Sequence, residues 1–218
     1  MKATGEREVL GLNVGPSEDE AFWLQFLRGL VGRGLKEGVT LAISDAHQGL
    51  KGAIEAVLQG RAQQCRVHFM RNTLALVPKT AASMVAATIR TVFFQPEATN
   101  AREQWQRVID NLGPSFPRLA HLLEEAEDDV LAYLAFPPEY WRQIWSNNPL
   151  ERVNREVKRR TDVVGIFPNT ASVVRLMGMV LAEQHDEWQV SRRYFSAESL
   201  AKLKEAQEVV PLTELIAD

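Results

Sequence analysis

Hydrophobic and polar positions change rhythm twice along this chain. Over residues 8–15, Glu8-Val9-Leu10-Gly11-Leu12-Asn13-Val14-Gly15, apolar positions alternate with small or polar ones and stop at Gly15-Pro16, which predicts a strand and a turn. Ser17 with Glu20 three residues later has the capping-box pattern. Phe22, Trp23, Phe26, Leu27 and Leu30 then recur at helical spacing up to the break at Gly32 and Gly34. The apolar, β-branched run Val39-Thr40-Leu41-Ala42-Ile43-Ser44 predicts a buried strand ending at Asp45. Leu50, Ile54, Val57 and Leu58 predict a helix ending near Gly60, and residues 61–69 a further strand carrying Cys65 and His68. Strand, helix, strand, helix, strand implies parallel pairing in a layered α/β domain.

The second change of rhythm comes after Arg71. Helical periods at 80–94, 101–112 and 116–134 are separated by Gln95-Pro96, Gly113-Pro114 and Pro137-Pro138, so this stretch reads as an all-α block. A further helix opens near Asn148, where Asn148 suits an N-cap and Pro149 the first helical position. Leu150, Val153 and Val157 form its apolar stripe. A turn at Gly165-Ile166-Phe167-Pro168-Asn169 and a helix over 170–188 follow, and the polar tail 197–218 reads as a surface cap. No internal repeat is visible, which argues against an array architecture.

With 218 residues, 45% of them hydrophobic, the chain can build one substantial core or a core with an inserted subdomain. No stretch approaches the roughly 18 to 20 apolar residues of a membrane span, and the charged first residues do not resemble a signal peptide, so the expected compartment is the cytoplasm. The single cysteine, Cys65, excludes an intrachain disulfide framework. A net charge of -3 argues mildly against a nucleic-acid partner, but the average hides a local asymmetry. Residues 151–160 hold five cations against two carboxylates, whereas 124–129 hold five carboxylates and no cation.

The basic helix places Glu151, Asn154, Arg155 and Lys158 near one another, opposite the apolar stripe, so an acid stands in a basic, hydrogen-bonding field. The plain alternative is a solvated helix with Glu and Arg pairs three and four apart. Asp45 occupies the C-terminal end of an apolar strand, where open α/β sheets collect ligands. A loop aspartate there can equally cap the next helix. Two acids brought together by the fold could hold Mg²⁺ for phosphoryl transfer, with nearby cations on a nucleic-acid backbone. Cys65 and His68 are too few for a four-coordinate zinc site and, three apart on a strand, would face oppositely, a poor nucleophile and base pair. Trp141 and Trp145, four apart, could stack on an unpaired base or pack in the core.

Three ordered motifs now stand together: Ile43-Ser44-Asp45-Ala46-His47-Gln48-Gly49-Leu50, Cys65-Arg66-Val67-His68-Phe69-Met70-Arg71-Asn72, and Asn147-Asn148-Pro149-Leu150-Glu151-Arg152 running on to Thr161-Asp162-Val163-Val164-Gly165-Ile166-Phe167-Pro168-Asn169. With their spacing they closely resemble the mutator-type transposases of bacterial insertion sequences, over nearly the whole chain. The resemblance implies a ribonuclease H-like α/β core with an Asp, Asp, Glu metal triad, interrupted by an all-α insertion before the last acid. Its segments would be 1–75 and 146–195 for the core, 76–145 for the insertion and 196–218 for a C-terminal tail. Asp45 matches the second aspartate and Glu151 the glutamate, with Lys158 the basic residue seven positions on. Glu156 competes with Glu151, which the positive end of the helix dipole favours. Cys65 and His68 match the family's CxxH pair, held to organise the core.

By the same resemblance, Mg²⁺ or Mn²⁺ would serve as cofactor, two ions in an intact site. DNA, both transposon ends and target, would be the partner, with Arg152, Asn154, Arg155, Lys158, Arg159 and Arg160 as contacts. A homo-oligomer, or a mixed oligomer with intact transposase, would form near the bacterial nucleoid. The departure is that family members carry the first aspartate on a strand upstream of Met1. The expectation is thus an N-terminally truncated core, a C-terminal portion that does not cut or join DNA alone. The alternative is a catalytically inactive DNA-binding or regulatory remnant.

Overall fold

A computed structural model describes residues 2, 4–15, 17, 19–35, 39–196, 198–200 and 202. Most of the tail expected over 197–218 lies outside them. The chain divides into two compact units, Glu18–Asn147 and Met1–Ser17 with Asn148–Asp218.

In the first unit, α1 (Glu20–Gly32) is capped by Asp19, whose carboxylate accepts the Phe22 N–H at 2.8 Å. The predicted capping role of Ser17 thus falls to Asp19, which stands next to the first helical turn in the extended conformation a cap needs. Strands β1 (Leu41–Ser44) and β2 (Arg61–Gln64) pair in parallel, Leu41 opposite Arg61 and Ser44 opposite Gln64, joined through α2 (Gln48–Leu58). A parallel pair requires such a crossover, and α2 and α1 bury Leu27, Leu30, Ala53 and Ile54 against each other and the strands. At the return into β2, Gln59 adopts a left-handed φ of 51°, and the Val39 carbonyl fills the space where Gly60 would carry a Cβ.

The strand expected over 61–69 stops at Gln64. Cys65 is the N-cap of α3 (Arg66–Ala75), which buries Phe69 and Thr73, four apart on one face. Then come α4 (Lys79–Phe93), α5 (Ala98–Leu112) and α6 (Pro117–Val130), two 3₁₀ turns at Ala132–Ala135 and Pro138–Tyr140, and the short α7 (Trp141–Ile144). One apolar core runs through this block, from Phe69 past Val85, Ile89, Trp105, Leu119 and Leu123 to Tyr133 and Trp141. Phe69 stacks on Trp105 at 5.5 Å, and the Trp105 indole N–H donates to the Leu123 carbonyl at 3.2 Å. The helical stretch after residue 75 therefore shares its core with α3.

One buried amide joins the strands to this block. Gln63 donates to the Val130 carbonyl at 2.9 Å and the Gln64 carbonyl at 2.8 Å, and its Oε1 accepts the Tyr133 N–H at 2.7 Å. Of the five carboxylates of 124–129, Asp129 pairs with Lys51, and Arg102 lies near Glu127 and Asp128.

In the second unit, α8 (Asn148–Val164) ends at Gly165, φ 72°, and Asn169 caps α9 (Thr170–Val190) by accepting the Ser172 N–H at 2.9 Å. Of the stripe predicted for α8, Val153 is buried and Val157 half-buried, but Leu150 is 49% exposed. A first-turn residue has only its C-terminal neighbours on the helix to pack with, and here it faces out. The strand predicted over 8–15 does not form. Among the described residues this stretch pairs with no strand and lies along α9, bounding a cavity of about 420 Å³ with Leu181, Ala182 and His185. The Val9 N–H meets His185 Nδ1 at 3.4 Å, and Arg7 lies over the Trp188 ring at 4.9 Å. Alternation supplied one apolar edge, and a helix face took it up in place of a neighbouring strand. No helix among the described residues is long and apolar enough to cross a membrane.

Candidate functional site

Asp45 follows directly on β1, exposed at its C-terminal end. The alternative use for this side chain, capping α2, is taken by His47, whose Nδ1 accepts the Leu50 N–H at 3.4 Å. Among the described residues the Asp45 carboxylate makes no hydrogen bond or ion pair. It lines a cavity of about 150 Å³ with Gln48, Lys51, Gln64, Asn72, Glu125 and Asp129. Lys51 Nζ donates to Asp129 at 2.8 Å, and that hydrogen bond holds the ammonium above its ordinary pKa. Lys51 and Asp129 are 78 positions apart, and no periodicity in the sequence links them.

Beside the strand end sits Cys65, fully buried. Its N–H donates to the Ser44 carbonyl at 2.6 Å, one residue before Asp45, and its thiol lies 2.8 Å from Asn147 Oδ1. The next residue, Arg66, donates its N–H to the Trp145 carbonyl at 2.9 Å. Cys65 thus fastens the Asp45 end of β1 to residues 145–147, which lead into α8. Cys65 and His68 do not face oppositely along a strand as expected: at the N-cap and in the first turn of a helix they lie on one side. The bond to Asn147 occupies the thiol in another way. Trp141 is buried, its indole N–H bonded to the Phe136 carbonyl at 2.6 Å and its ring edge-on to Tyr133. Trp145 lies against Tyr133 and Arg66. Both tryptophans are used in packing.

Glu151 stands half-buried in the first turn of α8, where the helix dipole favours a carboxylate. Asp45 belongs to one compact unit and Glu151 to the other. Further along α8, Glu156 is bound twice by Arg159, at 2.7 and 2.9 Å, and once by Arg160 at 2.7 Å. Hydrogen bonds from Arg159 and then Arg160 pull the Glu156 carboxyl down to about 2. Arg160 also reaches Glu183 on α9 at 3.3 Å. The six residues expected to face DNA therefore divide. Arg159 and Arg160 are engaged by carboxylates, whereas Arg152, Asn154, Arg155 and Lys158 are exposed, and no carboxylate pairs with these three cations among the described residues. Arg155 and Lys158 share the face of Glu151, with Arg152 to one side.

The mutator-family transposase pattern matches residues 1–191. The chain belongs to the Mutator family of transposases. It is 51% identical over 207 residues to the transposase for insertion sequence element IS1081 of Mycobacterium tuberculosis, covering 94% of this chain and 50% of that protein. Identity is 40% over 198 residues to the IS406 transposase of Burkholderia multivorans, with 90% and 51% covered. It is 35% over 194 residues to the IS256 transposase of transposon Tn4001 from Staphylococcus aureus, with 88% and 49% covered. This Mutator-family chain thus spans about half the length of the curated relatives it matches.

Asp45 fits a divalent cation. Among the described residues its hard oxygens are uncommitted, and the cavity beside them is lined by further carboxylates and amides. Among the described residues, however, no three His, Cys, Asp or Glu side chains form a group that could hold a metal.

Proposed function

We propose that this chain forms part of an insertion-sequence transposase core of ribonuclease H-like type. In this reading it supplies two of the acids, Asp45 and Glu151, that serve metal-dependent cleavage and joining of DNA. The observation that carries the reading is the Asp45 carboxylate, set at the end of a parallel strand, released from capping by His47 and, among the described residues, left without a partner beside a cavity. Asp45 and Glu151 would hold a divalent ion of the Mg²⁺ or Mn²⁺ kind, which when bound supplies Lewis-acid stabilisation of the phosphoryl oxygens. Glu156 suits that role poorly, because Arg159 and Arg160 already occupy its oxygens. Arg155 and Lys158 would bind the DNA backbone on the face of Glu151 and hold the scissile strand against the acids.

Mn²⁺ titration of the purified chain, read by electron paramagnetic resonance, tests the assignment. Asp45→Asn and Glu151→Gln should each weaken binding at least about tenfold, since losing even an outer-shell partner of a metal ligand costs that much, while Glu156→Gln should not weaken it. An Asp45→Asn variant that binds Mn²⁺ as the parent does sinks the reading. A second reading, a DNA-binding or regulatory module without chemistry of its own, draws on the open cations Arg152, Arg155 and Lys158, which need no metal to meet phosphate. It gains if Mn²⁺ binding is indifferent to both acids while DNA binding depends on these cations.

A further inference from the structure

Arg66 holds an unusual position. It is the first residue of α3, half-buried, with its guanidinium carbon 4.0 Å from the ring centre of Trp145 and 4.5 Å from that of Phe93. Stacking of this kind engages the faces of the cation and leaves its N–H edge. Among the described residues the Arg66 side chain donates no hydrogen bond and pairs with no carboxylate. A second cation lies close by. Arg90 precedes Phe93 by three residues on α4, so the two share one side of that helix, and Arg90 is exposed and likewise without a carboxylate partner. Burial lowers the Arg66 guanidinium from its ordinary value, and the charge of Arg90 acts in the same direction.

A guanidinium partly withdrawn from water, clamped by rings, short of hydrogen-bond acceptors and next to a second arginine, is half of an anion site. Its planar fork matches two oxygens of one phosphate, and the stack has already fixed its orientation. The contrast with Arg159 and Arg160, which carboxylates of the same unit neutralise, is direct. We infer that Arg66 and Arg90 form a phosphate-binding site and that its ligand is the sugar-phosphate backbone of DNA. The choice of DNA over a free anion rests on the DNA-binding reading given above; the site itself rests on the stack and the unsatisfied fork. It would give the Glu18–Asn147 unit a DNA contact of its own.

The test is fluorescence anisotropy of a labelled mixed-sequence DNA duplex with the full chain across a potassium chloride series, with circular dichroism melts of every variant. Arg90→Gln, at an exposed position, should keep the parental melting temperature, weaken binding roughly three- to tenfold, and reduce the slope of log affinity against log salt by about one. Arg66→Lys keeps the charge but loses the fork and should weaken binding with a smaller change in slope. Arg66→Gln should act like Arg90→Gln if it folds; if it does not, the other two variants carry the result. Folded Arg90→Gln and Arg66→Lys proteins with parental affinity and slope overturn the site. Arg155→Gln serves as reference. If Arg155→Gln weakens binding and the Arg66 and Arg90 variants do not, this inference alone fails, whereas a parent that binds no duplex overturns the DNA-binding reading with it. Calorimetric titration with inorganic phosphate separates the sources. Phosphate binding lost in Arg66→Lys, with duplex binding unchanged, assigns the site to a free anion and overturns DNA as ligand.

Discussion

Asp45 and His47 show how a single hydrogen bond decides what a residue is available for. A strand-end aspartate before a helix is an ordinary cap, and its type and position alone do not separate capping from ligation. The bond from the Leu50 N–H to His47 removes capping from the choices, since it satisfies the helix start from a different side chain. Cys65 makes the same point in the core. Its N–H reaches Ser44 and its thiol Asn147, 82 positions away, so one small residue ties the β1 end to the approach to α8. Cys65→Ala should lower the free energy of unfolding by about 1–2 kcal/mol, from a lost buried hydrogen bond and a small void. Cys65→Ser, which keeps a donor toward Asn147, should recover part of it. Urea denaturation of the three proteins decides the matter, and an alanine variant as stable as the parent would show that the thiol bond contributes nothing.

At the scale of elements, α8 was largely legible in the sequence and β1 nearly so. The helix could be read from Asn148-Pro149 and the spacing of Val153 and Val157, because its signals lie within one or two turns of each other. The strand over 8–15 could not, since alternation says that one edge is apolar but not what it packs against. Nor was the pairing of charges within α8 legible in the sequence. Five cations looked equivalent, yet Glu156 takes two of them. Its depressed carboxyl fixes the sign of a pH effect: the pairing contributes fully above the unfolded carboxylate range and is lost as pH falls toward about 2. Titration of the Glu156 carboxyl by carbon NMR should therefore show a midpoint near 2, and an ordinary glutamate midpoint would mean the fork is not formed. Glu156→Gln should release Arg159, while Arg160 keeps Glu183, and tighten duplex binding with a steeper salt dependence. Unchanged or weaker binding would mean that Arg159 does not face DNA.

For the molecule as a whole, Gln63 is the polar joint between the parallel strands and the helical block. Gln63→Leu leaves the Val130 and Gln64 carbonyls and the Tyr133 N–H without their partner in a fully buried position. The expected loss is roughly 2–4 kcal/mol, in line with stranding several buried polar groups, and it should broaden or split the unfolding transition of the chain followed by heat. A variant that melts as the parent does would show that the two parts are joined by apolar packing alone. Family membership and the candidate acids were readable from the order of residues, because motif spacing and strand-to-loop position are properties of the chain itself. So were the helices of the block, whose apolar stripes repeat every three or four residues. The partners were not: Lys51 with Asp129, Cys65 with Asn147, Gln63 with Tyr133 and Arg66 with Trp145 meet across 70 or more positions. Such meetings depend on how distant elements pack, so folding alone decided which cations and acids are engaged by the protein and which are left open for a ligand.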